Sequence, residues 1–441
     1  MPRRTTRGPL DDVDPLSPSP SITSALGPSP PLSRANSSAL QPSMAENPTT
    51  SITTSNVEPE PKAEEAKDLS FVLDPAIYHP VSQLEIPAPF RRPFPVQVTA
   101  SSSLSDVLEK LEVLLSECNY LAAAFLAGSL LGSGAIKPTD RSTIFRVLAI
   151  RFSSLELSGN LAFAAQEAKA LEDVGSEFYY EGLDDRKSAD DNDAQRLLPR
   201  HIMPFALRLQ ALRLQSIGFS DPRRGVSALY DLALECRENI ASTEDSAESR
   251  QRWAERLQDV GFRVVNALVE MGDFDCAKRT LDTLKPSEAS GTIWISSMIM
   301  LLAKMGLIDK ATAMLNDSTI SESERTSFQS LLAIANEDFA KAEELLSRDS
   351  LSQHQELMAL AKSNLAVAML YKGEIERARS ILNSLVDDGQ SFQSLTINLA
   401  TIFDLTSDRS KDLKTALAAK VARNDKRLKQ PRTFTNADFK L

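Results

Sequence analysis

The chain has 441 residues, 42% hydrophobic and 25% charged, the profile of a folded protein with room for two or three ordinary domains or one long repeat array. A net charge of −11 argues against a protein built mainly to coat nucleic acid. Three scattered cysteines, Cys118, Cys236 and Cys276, draw neither a disulfide framework nor a CxxC metal pair, so a reducing, cytosolic setting is expected. No apolar run nears the roughly 18 residues needed to cross a bilayer, and no apolar stretch follows the basic start as in a secretory signal.

The first hundred residues differ from the rest. Of 24 prolines, 18 fall between Pro2 and Pro95, and no aromatic side chain precedes Phe71. Such a stretch cannot bury enough apolar surface to offset its ordering entropy, so residues 1–70 are predicted to be a disordered Pro/Ser-rich tail. Ser17-Pro18, Ser19-Pro20 and Ser29-Pro30 read equally as targets of proline-directed kinases or as incidental matches. Residues 71–100 mix Phe71, Tyr78, Phe90 and Phe94 with prolines and the pair Arg91-Arg92. This strip has the character of an extended segment that docks, either on a partner or on the protein's own helical body.

Ser103 and Asp106 form a capping-box pattern, and Leu104, Val107, Leu108 and Leu111 follow at helical spacing. From there the chain reads as helix after helix, giving a repeat domain over 101–425 and a C-terminal tail over 426–441. Its breaks are Lys137-Pro138, Asp184 to Asp193, and Ala241 to Glu248. No alternating β pattern interrupts it.

Four segments share a register. A turn site (Gly272, Gly306, Glu337, Gly373) is followed two positions later by an apolar residue (Phe274, Ile308, Phe339, Ile375). Then come an alanine (Ala277, Ala311, Ala342, Ala378) and, four later, a leucine (Leu281, Leu315, Leu346, Leu382). The alanine spacing is close to the period of about 34 residues of a tetratricopeptide repeat, two antiparallel helices per unit. Gly permits the sharp turn, Ala lets the second helix press on the first, and Leu lies on the same face. Upstream the pattern loosens: Gly159 with Ala164 marks another unit, Gly218 a longer turn containing Pro222, and Cys118 with Tyr120 one more. The predicted fold is all-α, a tetratricopeptide-like α-solenoid of about six or seven helical hairpins.

Candidate chemistry is sparse. His79, His201 and His354 stand in no ligand-spaced pair, and no phosphate-loop, dinucleotide or nucleophile-elbow motif occurs in context. The acidic pairs Asp184-Asp185 and Asp190-Asp191 read as solvated loop. Nine Lys/Arg between Arg409 and Arg432 read as a solvated helix face or as a contact with anionic membrane or an acidic partner. No enzyme activity, cofactor, metal, nucleic acid or small-molecule substrate is expected.

Beyond the generic repeat, the chain resembles the subunit-twelve family of the trafficking protein particle (TRAPP) complex, in a short-tailed, fungal-looking form. The resemblance is carried from about Leu114 onward by GNLAFAAQEAKALEDVGSEFYYE around Tyr179 and Tyr180, and by IMPFALRLQAL around Pro204 and Phe205. It continues with SRQRWAERLQDVGFRVVNAL around Trp253, SNLAVAMLYKGEIERARSILNSLV, INLATIFDLTSDRSKDLKTAL around Asn398 and Phe403, and TFTNADFKL around Phe434. The long N-terminal region of the family is here a tail of about 100 residues. The resemblance implies a non-catalytic subunit of a TRAPP III-type tethering complex, acting between endoplasmic reticulum and Golgi and in autophagy. It implies pairing with the large subunit eleven, exchange on a Rab GTPase by other subunits, and a cytoplasmic, peripheral location at Golgi and endoplasmic reticulum–Golgi membranes.

The rival reading is a tetratricopeptide co-chaperone that grips the C-terminal peptide of a heat-shock protein. It needs Lys/Arg/Asn on the inner helices of consecutive repeats. Lys362 and Asn364 fit in one repeat, whereas Val264, Met298 and Gln329 stand at the comparable positions.

Overall fold

The computed structural model describes residues 67–84, 86–182, 199–241, 247–284, 291–318, 320–347 and 355–428, without the side chains of 355–357 and 424–428. Residues 1–66 of the tail predicted over 1–70, the acidic run within 183–198, His354 and Phe434 lie outside these residues. Among the described residues no helix is long and apolar enough to cross a membrane.

The fold is an all-α solenoid, with sixteen helices among the described residues. Its first half holds α1 (Leu104–Ser116), α2 (Tyr120–Leu131), α3 (Arg141–Leu157), α4 (Leu161–Glu167), α5 (Phe205–Gly218), α6 (Pro222–Ala241), α7 (Ala247–Glu270) and α8 (Phe274–Thr283). The second holds α9 (Gly291–Lys304), α10 (Ile308–Asp317), α11 (Glu322–Ala335), α12 (Phe339–Leu346), α13 (Gln355–Tyr371), α14 (Ile375–Asp387), α15 (Gln393–Thr406) and α16 (Ser410–Leu428). Consecutive helices pack as pairs, and each pair packs on the next. Among the described residues these helices, taken in twos, make eight hairpins, where the sequence pattern counted about six or seven. The last pair, α15–α16, lacks the shared turn and so escapes a search by register.

One turn geometry recurs in the other seven. At Gly272 the first helix ends in the left-handed region (φ +77°); the amide of Gly272 donates to Val269 O at 3.1 Å and that of Asp273 to Leu268 O at 2.9 Å. Gly306, Glu337 and Gly373 repeat the pattern, as do Cys118, Gly159 and Ser220 upstream. This is the Schellman arrangement, which satisfies carbonyls that a helix end otherwise orphans. The turn of the third hairpin is therefore Ser220, not Gly218. Gly218 is the last residue of α5, and a Cβ there would stand 2.3 Å from Ala165 O, so this glycine serves a close helix approach. Pro222 opens α6 as its first residue, where its missing N–H costs nothing.

Five positions after each turn stands a small residue: Ala123, Ala164, Gly225, Ala277, Ala311, Ala342 and Ala378. The six alanines are all fully buried. Four further on, Ala127, Ala168, Leu229, Leu281, Leu315, Leu346 and Leu382 are buried too. The apolar residue after the turn behaves differently. Phe274 is 51% and Ile375 38% exposed, while Phe339 stacks on Tyr371 at 5.0 Å.

Ser103 precedes α1, but its side chain makes no capping bond and its hydroxyl meets that of Ser105 instead. The complete capping box is at Ser321 and Glu324, ahead of α11.

The strip after residue 66 lies on the protein's own helices. Leu69, assigned with the tail by composition, is fully buried, and Val72, Val81, Ile86, Phe90 and Val98 are buried with it. The 3-10 turn Pro75–Ile77 packs on α2, and the turn Ala88–Phe90 packs on α16. Phe94 stacks on Phe125 at 4.8 Å. Arg91 is spent internally, donating to Ile86 O and Leu84 O. Through this strap the first and last hairpins share one apolar cluster, and α5 to α11 enclose a second.

A buried polar clasp pins the strap. Arg151, 1% exposed, donates from Nε to Glu167 Oε2 (2.9 Å), from Nη1 to Ala124 O (2.7 Å) and from Nη2 to His79 O (2.8 Å). The His79 amide donates to Glu167 Oε1 at 2.9 Å, and its ring stacks on Phe163. Burial, with Glu167 nearby, raises the Tyr78 phenol far above its ordinary value, so it stays protonated and donates to Val72 O.

Candidate protein-docking cleft

Residues Tyr180–Glu181 and Arg200–His201 form two short antiparallel strands, β1 and β2, in register Tyr180 with His201 and Glu181 with Arg200. They sit at the root of the acidic excursion, which carries no alternating pattern that would have announced them. Beside the ladder, residues of α5, α6 and α7 line a cleft of about 700 Å³.

One wall is a hydrogen-bonded triad. Arg208, 6% exposed on α5, donates from Nη1 to Glu235 Oε1 at 2.8 Å and from Nη2 to the Tyr180 hydroxyl at 2.7 Å. The Tyr180 hydroxyl donates to Glu235 Oε2 at 3.0 Å. Burial, aided by Glu235 and opposed by Arg208, pushes the Tyr180 phenol up to about 12, so it remains a donor. Behind it Tyr179 is buried, its hydroxyl donating to Leu171 O. His201 stacks on Tyr179 at 5.7 Å; its Nδ1 accepts from the Met203 amide and its Nε2 meets Val174 O at 2.9 Å. That pairing selects the neutral tautomer with the proton on Nε2.

The floor is aromatic. Pro204 precedes α5, Phe205 opens it, and the Phe205 ring meets Trp253 of α7 edge-on at 6.1 Å. The Arg256 guanidinium lies 4.4 Å from the Trp253 ring and 4.8 Å from Phe205, an arrangement that holds the cation by its π contacts. Burial, with Arg252 adding repulsion, lowers the pKa of Arg256, and it stays cationic as arginines do.

Charge is unevenly divided. Arg141 pairs with Glu181 and Arg208 with Glu235 at the margins. Arg200, Arg252 and Arg256 line the same cleft and form no ion pair among the described residues. On the far side of Tyr180 and Arg208 lies a second hollow of about 470 Å³, bordered by Asp173, Glu177, Asp231, Glu235 and Glu238. A basic and an acidic cleft thus share one wall.

The residues that carried the family resemblance fall in two places. Pro204, Phe205 and Trp253 line the basic cleft, while Tyr180 lines the acidic hollow beside it, with Tyr179 behind. Asn398 and Phe403 lie on α15, Asn398 half-buried and Phe403 buried, with the Arg379 guanidinium 5.6 Å from the Phe403 ring. The repeat-register residues, Gly272 to Leu382, shape the stack and do not line the cleft. The arginines were missed in the sequence because they are spread from Arg141 to Arg256 and share no spacing; the one signal was the run of arginines from Arg250 to Arg256.

No family model matches the chain. It is similar to mouse (Mus musculus) trafficking protein particle complex subunit 12. Identity is 24% over 366 residues, covering 74% of this chain and 44% of the mouse protein. The chain therefore spans less than half the length of that relative.

Elsewhere, several polar residues are engaged in the fold. His79 belongs to the clasp, Cys118 holds a turn, Cys236 is buried with its thiol pushed up to about 12 by burial and Glu235, and Cys276 accepts from Arg279. No group of three His, Cys, Asp or Glu among the described residues is placed to hold a metal ion. Two lysines of the basic C-terminal stretch are engaged, Lys414 with Asp404 at 2.7 Å and Lys420 with Asp387.

Proposed function

We propose that this chain is a non-catalytic scaffold subunit of a TRAPP III-type tethering complex. In this reading it binds other TRAPP subunits, the large subunit eleven foremost, and supports nucleotide exchange on a Rab GTPase that those subunits perform. The reading places it in the cytoplasm, peripheral to Golgi and endoplasmic reticulum–Golgi membranes, in transport and autophagy.

The observation that carries the proposal is the similarity to a TRAPP subunit along 74% of the chain. A stack of hairpins supports it physically, because it offers long side-chain surfaces for protein docking. The co-chaperone reading lacks such support. Val264 and Met298 are buried apolar residues, and the Lys362 ammonium lies 3.9 Å from Asp388, so these positions do not form a row of free cations among the described residues.

Affinity purification of the tagged chain followed by mass spectrometry tests the proposal. TRAPP subunits should co-purify in stable proportion. Their absence, with a heat-shock protein recovered instead, would overturn it.

A further inference from the structure

The basic cleft has a chemistry that the scaffold role leaves unassigned. We propose that it receives an extended acidic segment of another protein chain, whose carboxylates are held by Arg200, Arg252 and Arg256. The assignment deepens the docking role above and rests on the chain being a docking protein.

Three observations carry it. First, three arginines without an ion-pair partner among the described residues line one concavity of a protein whose net charge is −11. Packing like charges together is costly unless an anion joins them, and a guanidinium binds a carboxylate through two parallel hydrogen bonds. Second, Arg256 is already positioned by Trp253 and Phe205 before any ligand arrives. Fixing a long side chain in advance removes part of the entropy that binding would otherwise cost. Third, the two-residue strand Arg200–His201 lines the cleft and is held extended by its pairing with Tyr180–Glu181, which fixes the backbone that carries Arg200.

Other occupants fit less well. A bilayer presents a broad face and is met by projecting basic groups, whereas these arginines line a hollow flanked by Glu181 and Glu235. A nucleic acid would meet the repulsion of the whole acidic molecule. Small-molecule pockets are mostly apolar, and this one is lined mainly by charged and polar residues, five of them arginines.

The test uses the full chain and a fluorescein-labelled peptide of alternating Glu and Ser, read by anisotropy. A Gln-for-Glu version of the peptide and phosphatidylcholine vesicles with and without phosphatidylserine form the other arms. The Glu peptide should bind, the Gln peptide should not, and added salt should weaken the complex. The double variant R200E/R252E changes two exposed side chains and should keep its melting temperature while binding about tenfold more weakly or worse. No binding of the Glu peptide, equal binding of the Gln peptide, indifference to R200E/R252E, or binding to phosphatidylserine vesicles alone would each overturn the assignment. Co-purification of TRAPP subunits is scored separately. Subunits recovered without peptide binding would remove the acidic-segment site and leave the scaffold; the reverse would remove the scaffold and leave the site.

Discussion

A Cβ added to Gly128 would stand 2.9 Å from Nη1 of Arg151, so the bare backbone of α2 is what admits the buried guanidinium. Arg151 ties three separate pieces together: the α2 carbonyl of Ala124, the α4 carboxylate of Glu167 and the strap carbonyl of His79. Arg151→Leu should leave Glu167 as a buried charge without its partner, at a cost of roughly 3–5 kcal/mol. Thermal melting checks the loss, and hydrogen exchange should show residues 67–98 losing protection first. The double change Arg151→Leu with Glu167→Leu should recover a large part of the stability, because the uncompensated charge is gone.

The seven shared turns make opposite predictions at two of their sites. Glu337 is a non-glycine residue held at φ +62°, a conformation that costs an L side chain about 1 kcal/mol. Glu337→Gly should therefore raise the melting temperature slightly. Gly306 has φ +74° and open space where a Cβ would go, so Gly306→Ala should lower stability by about 1 kcal/mol through backbone strain alone.

Ala378 is fully buried between α14 and its neighbours. Ala378→Leu should overpack that junction at a cost of roughly 1–3 kcal/mol. An unchanged melting temperature would mean that the small residue is not what lets the helices nest.

His201 supplies a pH dependence. Burial first, then the nearby Arg208, lowers its pKa from 6.5 to about 4, and the Met203 amide already occupies Nδ1. Unfolding frees the ring to bind a proton near pH 6.5, while the folded ring takes one only near pH 4. Above that window both states are neutral and the contribution is flat. As pH falls through it, the unfolded state gains the proton and stability declines. His201→Gln should lessen the fall of the melting temperature between pH 6.5 and pH 4, the carboxylates held low by their partners supplying the rest.

The helical stack was legible because one register recurs: a turn, then Ala five later, then Leu nine later. Gly218 misled for a definite reason. Glycine signals both sharp turns and close helix approaches, and only the neighbouring elements tell which; the true turn at Ser220, like those at Cys118 and Glu337, uses residues that do not advertise a left-handed conformation. The capping pattern at Ser103 failed because Ser105 competes for the hydroxyl. The strap docks at home through buried Leu69, Val72 and Phe90 and through the bonds of His79 to Arg151 and Glu167, distant contacts that local composition does not reveal. The cleft was legible only as family-like strings around Tyr180, Pro204 and Trp253. The two-residue ladder beside it is too short to leave a pattern.

The strap's turn at Ala88–Phe90, seated on α16, gives the assembly a mechanical character. An open superhelix behaves as a spring, stretching and twisting at little cost because each coil touches only its neighbours. Here the two ends are buckled together, so the coil becomes a hoop. A load applied at one docking face must be shared around the circuit instead of dissipating in a loose end.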